Sequence, residues 1–225
     1  MEGFTGTELT CIRNERVVFA ELDFSVTTGG ALVLSGPNGS GKSSLLRVMA
    51  GISRPAEGQI SWRGTPIAED PETYFADMHY VGHRDAVKYS LTVRENLTFH
   101  CALRPVAPNI DRALDLTGLT ALADLPARML SAGQTRRLAL ARMLASPAPL
   151  WLLDEPTVSL DTRAMERLVA AIADHRAGGG IVVLSTNVAL EIEGATTIDT
   201  SVFTGGNKPL WSGPLDSESP SGDEE

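Results

Sequence analysis

The sequence predicts an α/β fold: a buried parallel sheet, an antiparallel strand layer at the N-terminal end and a helical segment in the middle. Three observations predict it. Short unbroken apolar runs at residues 31–34, 150–153 and 181–184 read as strands covered on both faces. From residue 150 onward, strand and helix patterns alternate, as they do when crossover helices join parallel strands. Ahead of residue 31 the pattern is short strands with polar breaks, and between about 69 and 149 it turns helical.

In chain order, residues 9–12, 17–19 and 22–26 read as three short strands of a meander, broken at Asn14-Glu15-Arg16 and Ala20-Glu21. The strand expected at 31–35 leads into a glycine-rich loop. Residues 42–50 then carry Leu45, Leu46 and Met49 at helical spacing, until Gly51 stops the helix. Residues 58–62 with Arg63-Gly64 read as a strand and a turn. Within the helical stretch, 92–103 opens with Thr92 and Glu95 at the spacing of a capping box, and 111–116 and 131–145 follow. A helix with Met165, Leu168, Val169 and Ile172 on one face joins the two last apolar runs. Short strands at 196–200, 202–204 and 209–211 close the expected fold, giving one domain over residues 1–213 with a helical subdomain at about 84–147. The last twelve residues, 214–225, hold five acids and no base and predict an acidic disordered tail.

The chain of 225 residues is 43% apolar and 21% charged, the balance of a globular protein with a core that needs no disulfide. Its net charge of −9, with 28 acids against 19 bases, argues against a broad basic face for nucleic acid or anionic lipid. The apolar runs fall far short of the roughly 18–20 residues that span a bilayer. The N-terminus, MEGFTGTEL, lacks the cationic and apolar regions of a secretory signal, so a cytoplasmic protein without direct membrane insertion is expected. Cys11 and Cys101 stand alone, with no ligand-spaced partner, and read as buried thiols.

The strongest chemical signal is GPNGSGKSS at 36–44, which matches G-x-x-x-x-G-K-[ST] between an expected strand and an expected helix. Gly36, Gly39 and Gly41 let the backbone turn successive N–H groups toward one anion, helped by Pro37, Asn38, Ser40 and Ser44 in the same loop. The helix that follows adds its positive N-terminal end. Lys42 can reach the β- and γ-phosphates of a nucleoside triphosphate, and Ser43 can ligate Mg²⁺. Kinases, GTPases and several classes of ATPase all remain open on this motif alone. Further on, the run LWLL ends in Asp154-Glu155. Carboxylates at the carboxyl end of a buried strand can hold Mg²⁺, as Asp154 is placed to do, and polarise a water, as Glu155 is.

Between these two elements lies LSAGQTRRLALARML at 130–144. This resembles the LSGGQ signature of the ATP-binding cassette (ABC) ATPases, with Ala132 in place of the middle glycine. The phosphate loop, the signature, the acidic strand, VSLD at 158–161 and STN at 185–187 occur in that family's order. The resemblance implies a P-loop cassette with a RecA-like core, an N-terminal antiparallel β subdomain and a helical signature subdomain. It implies ATP and Mg²⁺ as cofactors, and a second copy of the chain closing head to tail over two ATP molecules. Ser131 and Gly133 would cap the partner's γ-phosphate, Gln134 would support that turn, and Asp161 would lie at the dimer seam. Within the family, HYVGHRDAVKYSLTVRENLTFH at 79–100 and LTCIRNERVVFAELDF at 9–24 are similar to the ATP-binding subunits of cytochrome c biogenesis exporters. That similarity implies an energy-coupling ATPase at the cytoplasmic face of a bacterial inner membrane. It would be held there by a CcmB-like permease subunit, which Arg84 and Lys88 could contact. A soluble regulatory ABC protein and an ATP-binding subunit with little hydrolysis are the alternatives.

Besides Ala132, three residues depart from the family pattern. Arg13 stands where an aromatic side chain usually stacks on adenine, and a guanidinium can also stack on a base. His83 stands where Gln usually meets Mg²⁺ and the attacking water. Asn187 replaces a His that contacts the γ-phosphate; Asn keeps a donor but carries no charge, which predicts slow turnover.

Overall fold

The computed structural model describes residues 3–104, 106–188 and 190–203. The expected strand at 209–211 and the expected acidic tail at 214–225 lie outside them.

The chain begins with a long hairpin, β1 (Gly3–Arg13) and β2 (Arg16–Thr27). The two short strands expected at 17–19 and 22–26 are one: the Ala20-Glu21 break is a bulge, with Glu21 at φ 53° and the register shifting between the Leu9–Leu22 and Cys11–Phe19 pairs. A bulge lets a polar break interrupt the alternation without ending the strand. β1 also pairs with β4 (Glu57–Trp62), which turns through Arg63 and Gly64, both at positive φ, into the two-residue β5 (Thr65–Pro66). Positive φ at both central residues is the turn that matches strand twist. The antiparallel sheet therefore runs β2-β1-β4-β5.

The second sheet is wholly parallel, in the order β6-β7-β8-β3-β9: β3 is Ala31–Ser35, β6 Met78–Val81, β7 Leu150–Asp154, β8 Ile181–Ser185 and β9 Thr196–Asp199. β3, β7 and β8 are the three apolar runs of the sequence. On one face, α1 (Lys42–Met49) buries Leu45, Leu46, Val48 and Met49 between this sheet and the hairpin, against Phe4, Leu9, Phe19 and Leu22. On the other face lie α5 (Ala132–Ala145) and α6 (Thr162–Ala177), whose Leu140, Met143, Leu168 and Ile172 meet Val33, Trp151, Leu153 and Val182. Leu168 and Ile172 are buried as expected; Ala164 joins them, and Met165 and Val169 are only half-buried.

The helical stretch holds α2 (Pro71–Ala76), α3 (Val93–Cys101), α4 (Ile110–Thr117) and the first part of α5. Thr92 and Glu95 form the expected capping box, and Ser131 with Gln134 forms another at the start of α5. Val93, Leu97, Leu114, Leu119 and Leu138 make a separate apolar cluster that binds these helices together. Asn96, 1% exposed, stitches the loop before α3. It accepts from the Lys88 amide and donates to the carbonyls of Lys88, Leu91 and Thr92. Two corrections fall outside the main elements. The helical stretch contains edge strand β6, and residues 200–203, expected to begin a strand at 202, form a 3₁₀ turn (Thr200–Phe203). Cys11 and Cys101 are free and buried, as expected.

Two histidines near the junction of β6 and α3 give the fold a pH dependence. His79 donates from Nε2 to the Ser146 carbonyl at 2.5 Å, and burial, then Arg104, push its pKa down to about 4. His100 accepts from Arg142 at 3.3 Å, and burial followed by that guanidinium brings it to about 4 as well. A folded pKa below the unfolded value near 6.5 means that the unfolded chain takes up protons first. This contribution is therefore complete above pH 6.5 and is lost as pH falls toward 4. For His79 it amounts to about 1–3 kcal/mol. The slope of unfolding free energy against pH between 6.5 and 4 should flatten in His79→Gln; an unchanged slope would refute the assignment.

Candidate nucleotide-binding site

Strand order places the chemistry. β8 lies between β3, which carries the phosphate loop, and β7, which carries the acidic pair, so the carboxyl ends of all three converge. Ser185 at the end of β8 donates from Oγ to Asp154 Oδ1 at 2.8 Å and accepts from the Glu155 amide at 2.9 Å. Across β8, Ser43 Oγ donates to the same Asp154 Oδ1 at 2.9 Å. Asp154 is fully buried, and its other oxygen, Oδ2, has no hydrogen-bond partner among the described residues. A buried anionic oxygen without a partner is costly unless a cation or donor reaches it. Together with the Ser43 hydroxyl, this hard-oxygen pair fits Mg²⁺.

The loop is open to an anion. Gly36, Gly39 and Gly41 take φ of 125°, 85° and 97°, closed to most side chains. A Cβ on Gly36 would lie 2.7 Å from Ser40 Oγ. Lys42, 5% exposed, donates to the carbonyls of Gly36 at 2.6 Å and Pro37 at 3.1 Å, so its ammonium is held over the loop by neutral acceptors. Lys42, Ser43 and Ser44 form the first turn of α1, whose N–H groups have no partner within the helix. Ser40 is turned away, its hydroxyl 2.6 Å from that of Thr200. A cleft of about 550 Å³ opens beside the loop, between Pro37 and Asn38 on one side and Asn187 on the other.

Asn187 joins this group. Its Nδ2 donates to Asn38 Oδ1 at 2.9 Å and to Glu155 Oε1 at 2.6 Å, clipping the second carboxylate to the loop. Glu155 itself sits at φ 48°, in the left-handed region, strained for a non-glycine residue.

The other residues singled out from the sequence lie in three further places. Ser131 caps α5 from an exposed position, and a Cβ on Gly133 would meet the Ser159 carbonyl at 2.5 Å, so the signature turn packs on the segment leading to Asp161. Asp161 caps α6, accepting from the Ala164 amide at 2.7 Å. His83 is exposed on the loop after β6. Arg13 ends β1 and donates to Ser53 Oγ at 3.1 Å; the hairpin side chains against the phosphate loop are Val18 and Phe19, 2.9 and 3.5 Å from a Cβ placed on Gly41. Lys88 lies over the Phe99 ring at 4.5 Å. Sequence reasoning missed Val18 and Arg136. The latter is a buried arginine in α5, next to Arg137 in the sequence and not distinguishable from it by local pattern.

Residues 19–158 match the ABC transporter family. The fold agrees: a putative ABC transporter ATP-binding protein from Pyrococcus furiosus superposes with a TM-score of 0.79, covering 90% of this chain and 99% of its own at 23% identity. The ATP-binding subunit of another ABC transporter gives a TM-score of 0.76 over 82% of this chain and 79% of its own at 24% identity. The chain belongs to the ABC transporter family, as one of its ATP-binding subunits. Within it, the chain is 53% identical to the cytochrome c biogenesis ATP-binding export protein CcmA of Paramagnetospirillum magneticum, over 89% of this chain and 94% of that one. It is 52% identical to the protein of the same name from Rhodospirillum rubrum, over 89% and 86%. The one from Nitrosococcus oceani is 43% identical over 89% and 91%. The chain thus falls in the CcmA branch of the family.

Proposed function

We propose that the chain hydrolyses ATP to drive a membrane export complex of c-type cytochrome biogenesis, acting on haem or on release of its chaperone. The observation that carries the chemical half of this reading is Asp154 Oδ2, without a hydrogen-bond partner among the described residues, beside Ser43 and the phosphate loop. The biological half rests on the CcmA relatives. Lys42 and the free backbone N–H groups of the phosphate loop and the first turn of α1 bind the triphosphate, and Ser43, Asp154 and His83 would hold Mg²⁺. Bound Mg²⁺ would neutralise charge on the β- and γ-phosphates. Glu155 accepts a proton from the attacking water, and Asn187 donates toward the γ-phosphate. Arg13 stacks on the base. Ser131, Gly133, Gln134 and Asp161 belong to the facing half-site of a second copy, which closes only when the γ-phosphate is present. No helix among the described residues is long and apolar enough to cross a membrane. In this reading, which rests on the CcmA relatives, a CcmB-like integral subunit supplies the path and holds the chain at the cytoplasmic face of the inner membrane.

Deleting the gene and complementing it tests the whole reading. Haem-stained c-type cytochromes should vanish on deletion and return with the wild type but not with Lys42→Ala. The wild-type chain should sediment with membranes only when a hydrophobic partner is co-expressed. Normal cytochromes after deletion, with the chain soluble throughout, would favour a soluble regulatory ABC protein instead.

A further inference from the structure

We propose that Arg136 is a positioning residue for Glu155, a buried guanidinium that sets where this carboxylate stands and makes its placement depend on the loop 82–85. The proposal rests on the reading of Glu155 as the group that activates water.

Arg136 is 4% exposed, in the second turn of α5 just past the signature. One nitrogen, Nη2, donates to the Asp154 carbonyl at 2.7 Å and the Glu155 carbonyl at 2.9 Å. The other, Nη1, donates to the Gly82 carbonyl at 2.9 Å and to Asp85 Oδ1 at 2.8 Å. A planar group with fixed donor directions thus spans three segments of the chain: the strand end with both acids, the loop that carries His83, and the helix that opens with Ser131. Lysine, a point charge on a flexible stem, cannot reproduce four bonds in one plane.

Glu155 needs such a clamp. Its left-handed backbone is a conformation that persists only where the surroundings fix it. Ser185 Oγ holds its amide, and Arg136 holds its carbonyl and the one before, so its backbone is pinned on both sides. Packing alone does not explain the residue. An arginine removed from water, balanced by one carboxylate that is itself 24% exposed, is no better for stability than an apolar side chain of similar size. What the guanidinium adds is direction. When the loop 82–85 shifts, Gly82 and Asp85 pull on the same rigid plane that holds the strand end, and the carboxylate moves with it. ATP binding has separate supports in Lys42, Ser43 and the loop amides, so loss of Arg136 acts on the chemical step.

The experiment is ATP hydrolysis by the full chain assembled with its membrane subunit, as a function of Mg-ATP concentration, for Arg136→Gln, Arg136→Lys, Asp85→Asn and Glu155→Gln. Single-turnover assays with labelled ATP resolve the slow variants. Misplacing a reacting group by about 1 Å costs up to about 100-fold. The expected result for Arg136→Gln is accordingly a kcat about 10- to 100-fold lower, with KM within about twofold. Arg136→Lys should recover part of this, and Asp85→Asn, altered at a partly exposed position, should lower kcat less. Adding Arg136→Gln to Glu155→Gln should produce no further loss, because the first acts through the second. Unchanged kcat in Arg136→Gln, or kcat and ATP affinity falling together in both Arg136 variants, would overturn the proposal while leaving Glu155 in its role. Wild-type turnover in Glu155→Gln would overturn that role, and this proposal with it.

Discussion

Glu155→Gln is expected to lower ATP turnover by about 10²–10⁴-fold, the range a positioned general base contributes. ATP affinity should change little, and ATP-dependent dimers should outlast those of the wild type. The substitution is nearly isosteric. A glutamine carbonyl can still accept the Asn187 bond that Glu155 Oε1 accepts now, and the backbone clamp of Ser185 and Arg136 is untouched. Only the capacity to take a proton from water is removed. The buried phosphate lysine, the Ser43–Asp154 pair and the exposed signature turn all remain, so both half-sites can still close on nucleotide. Size-exclusion chromatography with and without Mg-ATP, alongside phosphate release, checks both halves of the expectation. Turnover within threefold of wild type would place the base elsewhere.

How far this site could be read in advance follows from how its parts are encoded. The phosphate loop binds with its own backbone, so everything it needs is contiguous, and nine residues between a strand and a helix suffice. Asp154 and Glu155 were legible because a strand buried on both faces makes an unmistakable apolar run, and its first charged residues mark its carboxyl end. The capping boxes at Thr92 and Ser131 were legible for the same reason, each being written within four residues. What bridges the elements was not. That Ser185 links the two acids depends on β8 lying between β3 and β7, and strand order is a property of packing that no local pattern records. Arg136 looked like its neighbour Arg137, because burial of a base is decided by what faces it across the fold. The edge strand β6 escaped notice inside a helical stretch because it has only four residues, two of them half-buried. The bulge at Glu21 split one strand into two on paper, since a polar break and a turn read alike until the pairing is seen.

Asn187→His is expected to raise turnover by about tenfold or more, given that a single well-placed transition-state donor is worth about 10²–10³ in rate. The geometry explains why asparagine falls short. Its Nδ2 carries two hydrogens, and both are engaged, one on Asn38 Oδ1 at 2.9 Å and one on Glu155 Oε1 at 2.6 Å. To donate to a γ-phosphate the amide must release one of them, either freeing the carboxylate from its only side-chain tether among the described residues or letting go of the loop. An imidazole reaches farther from the backbone and has a distal nitrogen that can donate outward. When protonated it can also offset charge that develops on the phosphate. Asn187→Ala separates the two tasks of the native side chain. If the tether matters, this variant should fall about tenfold below wild type in kcat, because Glu155 then samples positions away from the water. If it equals wild type, the amide serves neither the phosphate nor the carboxylate, and slow turnover has another cause. Equal rates for Asn187→His and the wild type, with Asn187→Ala impaired, would mean that the amide already does all that this position requires.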